Sequence, residues 1–149
     1  MIILGNMLGG ISSIFLALSV HKKSKDKMLL FQTIDAAFAL FSCLVLGGLN
    51  GAIANLAAII RNLLKIKKKD NRVSIMAIVS IIIINGIINF IIFESTWFSL
   101  FPIIASVEYT LVLFLSKSYM SSKISLFINQ LLWIVYSLCI KNFVSSIVG

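Results

Sequence analysis

Two carboxyl groups and a guanidinium sit inside stretches of sequence otherwise built for hydrocarbon. Asp35 lies in "LLFQTIDAAFAL", Arg61 in "GAIANLAAIIRNLLKI" and Glu108 in "FPIIASVEYTLVLFL". A charged side chain at the centre of a bilayer costs at least about 2.5 kcal/mol, so each is a candidate for handling a ligand, an ion or a proton. Glu108 is roughly 15 Å into its apolar run at 1.5 Å per helical residue, near a bilayer midplane. There it can hold a cation or a proton, or accept bonds from a polar solute. The alternative is a carboxyl satisfied by hydrogen bonds inside a helix bundle. Asp35 and Arg61 differ in depth by only about 5 Å on adjacent antiparallel helices. An ion pair between them would serve as a structural clamp or inner gate. Arg61 has a second reading, which the sequence favours: its long side chain reaches the headgroups. Asp35 cannot reach so far and needs a partner.

Amides come next. Asn55 and Asn62 are seven residues apart and share a helix face. Gly51, Ala52, Ala54, Ala57 and Ala58 surround Asn55, so that helix packs closely against its neighbours. Asn55 is then either interhelical glue or a substrate contact in a central cavity. Asn129, Gln130, Trp133 and Tyr136 fall within two turns of one another. An aromatic ring beside amides suits a flat or sugar-like ligand, and also suits ordinary core packing. Asn85 and Asn89 read as packing residues. His21 borders a run of lysines and reads as a headgroup neighbour. The expected substrate-binding set is therefore Asp35, Asn55, Glu108, Asn129 and Trp133. No metal-ligand spacing, phosphate loop or nucleophile–base constellation occurs, and one His with two scattered Cys does not build a usual zinc site. The expectation is a protein that is not an enzyme, with no metal and no cofactor.

These side chains are positioned by membrane helices. The chain of 149 residues is 60% hydrophobic and 12% charged, with mean hydropathy +1.07. A soluble domain of this size cannot hide so much apolar surface, so the class is an all-α integral membrane protein. The net charge of +8 does not imply nucleic acid. All basic residues except Arg61 and Lys141 fall in three segments, Lys22–Lys27, Lys65–Arg72 and Lys117–Lys123. Such clusters beside membrane spans set orientation and meet anionic headgroups. Cys43 and Cys139 lie in apolar runs and behave as small hydrophobes. "MIILGNMLGG" lacks a basic n-region and a small-residue cleavage site, so it reads as a retained first helix.

Six apolar runs are long enough to be considered as spans, about 2–20, 28–47, 50–65, 73–93, 97–116 and 123–141. "VHKKSKDK", "KIKKKDNR" and "LSKSYMSSK" follow the odd-numbered runs and are basic; "GGLN" and "ESTW" follow the even-numbered ones and carry no Lys or Arg. The alternation places the basic connections in the cytosol and both termini outside. Trp97 fits an outer aromatic belt. There is also an internal repeat. Ile11–Asn55 and Ala105–Gly149 both read as an apolar helix, a short basic loop, a Lys before an apolar run, a polar cluster and a Cys. Lys27 matches Lys123, Phe31 matches Phe127 and Cys43 matches Cys139. After a slip of two residues, "LGGLNGAIAN" lines up with "IKNFVSSIVG". Residues 1–65 then form a first triple-helix unit, 73–93 a linker helix and 97–149 an incomplete second unit, all in one transmembrane domain.

This arrangement resembles the 3-1-3 helix architecture of SWEET and PQ-loop transporters, a parallel repeat in the membrane. "GAIANLAAIIRNLLKIKKK", preceded by "FALFSCLVLGGLN", is similar to the bacterial inner-membrane family typified by YgjV, and "LLWIVYSLCIKNFVSSIVG" resembles its later helix. The resemblance implies a multi-pass protein of the bacterial inner membrane. The SWEET likeness implies alternating access and a substrate-contacting Asn in the third helix of each unit. Asn55 fits the first; its counterpart by position is Gly149. A seventh helix is absent from this pattern, and SWEET-type hinge prolines are reduced to Pro102. The chain is then natively short, or a homodimer completes its pathway. The expected function is transport of a polar small molecule, sugar- or metabolite-like. The alternative is a non-transporting membrane subunit or scaffold whose polar residues only hold helices together.

Overall fold

The computed structural model describes residues 1–67, 71–92, 97–116 and 118–139, without the side chains of residues 50, 89, 90, 92, 98 and 99. Among these residues the chain is all helical: α1 (Ile2–Val20), α2 (Lys25–Leu46), α3 (Leu49–Ile66), α4 (Arg72–Ile92), a single 3-10 turn (Trp97–Leu100), α5 (Phe101–Leu115) and α6 (Tyr119–Cys139). The Asn89 side chain, the "EST" of the fourth connection, and Gly149 with the region of a third helix in the second repeat lie outside the described residues.

Local chemistry sets the boundaries. Ser24 caps α2, its side chain accepting from the Lys27 N–H, and Asp26 lies in the first turn, where a negative charge favours the helix dipole. Gly47 ends α2 with φ at 79°, a left-handed conformation that glycine adopts without steric cost. The Gly48 N–H then returns to the Cys43 carbonyl at 2.8 Å, so α2 and α3 form a tight helical hairpin. Pro102 stands in the first turn of α5, where its missing N–H has no helical partner to lose. It opens a helix and does not kink one.

The exterior is as apolar as the interior, and much of the interior is hydroxylated. Ser12, Ser13, Ser19, Ser42, Ser106, Thr110, Ser122, Ser125 and Ser137 are buried, while Ile3, Met7, Phe41, Ile84, Leu115 and Phe127 are more than half exposed. Lipid provides no hydrophobic drive between helices, so small and hydroxylated residues make the helix contacts and the large apolar ones face outward. By length and composition α1, α2 and α6 can each cross a membrane. The apolar stretches Arg72–Ile88 and Phe101–Leu115 are shorter.

The helices pack as two groups. α2 lies against both α1 and α3, α5 lies against α6, and α3 meets α5, with α4 packed on those two. The basic α1–α2 and α5–α6 connections meet at one end: Lys25 Nζ donates to the Leu113 carbonyl at 3.4 Å, and Tyr119 Oη donates to the Lys22 carbonyl. An apolar cluster of Leu16, Met28, Leu29, Tyr109, Leu113 and Leu126 fills that basic end. At the other end Cys43, Ala52 and Tyr136 cluster with Phe101 and Trp133. There the Gly51 N–H donates to Tyr136 Oη at 3.2 Å. A Cβ at Gly51 would meet the Tyr136 ring at 2.8 Å and Cys43 Sγ at 2.9 Å, so glycine is what lets the Tyr136 side chain of α6 rest against α3.

Candidate functional site

Between the two apolar clusters, α1, α2, α3, α5 and α6 line a partly open cavity of about 80 Å³. Ala36, Ala39, Ala54 and Ala58 make the space for it, and polar side chains supply most of its chemistry. Helical spacing selects the lining. Gln32, Asp35, Ala36 and Ala39 form one face of α2, and Ala54, Asn55, Ala58, Arg61 and Asn62 form one face of α3.

Four of the five expected binding residues line this cavity: Asp35, Asn55, Asn129 and Trp133. Ser12 Oγ donates to Asp35 Oδ1 at 2.5 Å, which ties α1 to α2 beside the cavity. Asn55 Nδ2 donates to the Gly51 carbonyl at 2.9 Å, and Asn129 Nδ2 donates to the Ala105 carbonyl at 2.7 Å. A carbonyl only accepts, so both amides are oriented with NH2 toward the backbone and the side-chain oxygen left for another partner. Trp133 stands edge-on to Tyr136, their ring centroids 5.6 Å apart.

Glu108 is elsewhere. It does not line the cavity, and its two carboxyl oxygens each lie 2.8 Å from the donor Ser125 Oγ on α6. The inward face of α5 presents Ser106 and Tyr109, and a residue one position before Tyr109 is turned about 100° away on a helix of 3.6 residues per turn. Depth along the helix is right for the cavity and azimuth is not.

Arg61 departs from its favoured sequence reading. Its side chain is 4% exposed and lines the cavity, so it does not reach for headgroups. Nε donates to Asn62 Oδ1 at 3.0 Å and Nη1 donates to Thr110 Oγ1 at 3.3 Å. The guanidinium also lies over the Tyr109 ring, 4.6 Å from its centroid, an attractive arrangement for a cation. The ion pair expected between Asp35 and Arg61 is not formed among the described residues; each takes neutral partners on the wall of the same cavity. The physical reason is competition. Ser12 on α1 and Thr110 on α5 offer each group a closer partner.

Gln32, Tyr109 and Ser12 belong to the site although the sequence reading passed over them. Tyr109 Oη donates to Gln32 Oε1 at 3.0 Å. The signal for Gln32 is simple: it is an amide three residues before Asp35, on the same helix face. Gln32 Nε2 and Asn62 Nδ2 are buried nitrogens with no hydrogen-bond partner among the described residues. Both residues line the cavity. No group of three His, Cys, Asp or Glu among the described residues is close enough to hold a metal ion.

No curated protein and no solved structure matches the chain significantly. One family model does match, that of the Imp-YgjV bacterial inner membrane proteins, over residues 3–149. With apolar helices long enough to span a bilayer and a match over nearly the whole chain, this protein belongs to the YgjV family of bacterial inner membrane proteins.

Proposed function

We propose that this protein carries a small polar solute across the inner membrane by alternating access. The observation that carries the reading is the position of the polar cavity. It lies between an apolar cluster at the basic end and another at the opposite end, and both helix groups line it. A solute site with an apolar plug on either side is what rocking of one helix group against the other requires. In this reading all six helices cross the bilayer, the basic end faces the cytosol and the N-terminus faces outward.

The repeat lends further support. In the register that pairs Ile11 with Ala105, Ser12 corresponds to Ser106, Gln32 to Leu126, Asp35 to Asn129, Ala36 to Gln130 and Ala39 to Trp133. Every one of these ten residues lines the cavity. The same register pairs the first residues of α2 and α6, Lys25 and Tyr119. Among the described residues α4 contributes none to the lining, as befits a linker between two parallel units. The matches of Phe31 with Phe127 and Cys43 with Cys139 belong to a register two residues away. There Cys43 is buried and Cys139 is exposed.

A second reading, a scaffold or subunit that transports nothing, draws on Glu108, whose polar group is satisfied within the bundle by Ser125. The two are separated by a thermal-shift screen of the purified protein against a metabolite library, repeated on Asn55→Ala and Glu108→Gln. Transport predicts a stabilising solute whose effect falls in Asn55→Ala and persists in Glu108→Gln. A screen with no stabilising solute, or a shift lost only in Glu108→Gln, contradicts the assignment of this cavity.

A further inference from the structure

We infer that Arg61, Asn62 and Gln32 form a carboxylate-binding subsite, and that the solute of this cavity is a small zwitterion and not a sugar. The inference names the substrate class of the site proposed above and rests on that reading for the reason a solute enters. Three observations lead to it.

The first is an excess of donors. Arg61 presents five N–H donors and no acceptor. Its partners, Asn62 Oδ1 and Thr110 Oγ1, are neutral, and no carboxylate among the described residues pairs with it. Because arginine Nε–H only donates, Asn62 is locked with its oxygen toward Arg61 and its Nδ2 away. That nitrogen has no partner, and neither has Gln32 Nε2. Asn62 is 1% and Gln32 4% exposed. A buried N–H without an acceptor costs about 1–3 kcal/mol, and two such amides stand on the cavity wall with an arginine that lacks a counter-charge. A planar carboxylate satisfies all three, since it accepts on both oxygens and matches a guanidinium bidentately.

The second is the opposite polarity a short way along. Asp35 lies one turn beyond Gln32 on α2, away from the basic end. Asn55 lies about 9 Å from Arg61 along α3, in the same direction. The Asp35 carboxyl and the free oxygens of Asn55 and Asn129 are acceptors. A solute with a carboxylate at one end and an ammonium at the other meets donors with the first and acceptors with the second.

The third is size. The cavity is about 80 Å³, which suits a compact solute such as glycine, alanine or serine.

The test is titration calorimetry on the full chain in nanodiscs with glycine, alanine, serine, lactate, ethanolamine, glycerol and glucose. The amino acids are expected to bind. Lactate should bind more weakly and through Arg61, and the amine and the neutral polyols should not bind. Asn62→Asp gives Arg61 an internal carboxylate and removes the unpartnered nitrogen. It should keep or raise the thermal midpoint and weaken amino-acid binding by about 10- to 100-fold. Gln32→Met, which removes the second unpartnered nitrogen, tests the subsite independently and should also weaken binding. Amino-acid affinity unchanged in both variants, binding of glucose or glycerol in place of amino acids, or no binding by any of the seven solutes each overturns the subsite. Uptake by proteoliposomes separates the two proposals. Amino-acid binding without flux contradicts transport and leaves the subsite standing. Glucose flux without amino-acid binding contradicts the subsite and leaves transport standing.

Discussion

Asp35 and Arg61 show how polar groups are kept inside this bundle: each is held by neutral hydrogen bonds on a different neighbouring helix. Ser12 is the one side chain bonded to Asp35 among the described residues. Ser12→Ala is expected to lower stability by about 1–3 kcal/mol, the cost of leaving a buried polar group short of its partner. Reversible unfolding in mixed micelles reads this directly, and a change below about 0.5 kcal/mol means that Asp35 is satisfied from elsewhere. At this scale much of the cavity was legible. A polar residue in an apolar helix must turn away from lipid, which is why Asp35, Asn55, Asn129 and Trp133 could be named from the sequence. Depth is counted along a helix, and Glu108 does lie level with the cavity-lining Ser106 and Tyr109. Which way it faces depends on the packing of α5 against α6, and no residue count contains that. The Arg61 side chain is long enough for headgroup or interior, and only the presence of Thr110 and Tyr109 on α5 decides for the interior.

The helices themselves were legible to within about four residues, because apolar runs and the short polar connections between them bound each one; the structure adds the local signals at their ends. Ser24, the Gly47–Gly48 pair and Pro102 mark starts and stops by backbone chemistry alone. Their neighbours were not legible, since serine-lined contacts carry no apolar stripe to read. α3 is the critical helix. It touches α2, α4 and α5, carries Asn55, Arg61 and Asn62, and reaches Tyr136 of α6 through Gly51. Gly51→Ala places a methyl group 2.8 Å from the Tyr136 ring. It should displace the Tyr136 side chain and cost about 1–3 kcal/mol, as overpacking does. A thermal midpoint equal to that of the unaltered protein contradicts the close approach described here. The double change with Tyr136→Phe tests whether the two positions act together, since residues in contact are not additive.

Over the whole molecule, hydropathy made the membrane class plain, and the family match places the protein in the bacterial inner membrane. The orientation expected from the charge pattern is the one the proposed cycle uses: in that proposal solute enters past the Cys43–Tyr136 cluster or past the Met28–Leu126 cluster, never past both at once. The central claim is that one cavity is reachable from each side in turn. It is tested most directly by thiol accessibility in spheroplasts and inverted vesicles. The single cysteine Ala39→Cys, on the cavity wall, is placed in a background carrying Cys43→Ala and Cys139→Ser. Lys67→Cys serves as the cytosolic marker. The account predicts that Ala39→Cys reacts with a small membrane-impermeant thiol reagent from both sides, while Lys67→Cys reacts from the cytosolic side alone. Reaction of Ala39→Cys from one side only, or from neither, would contradict it.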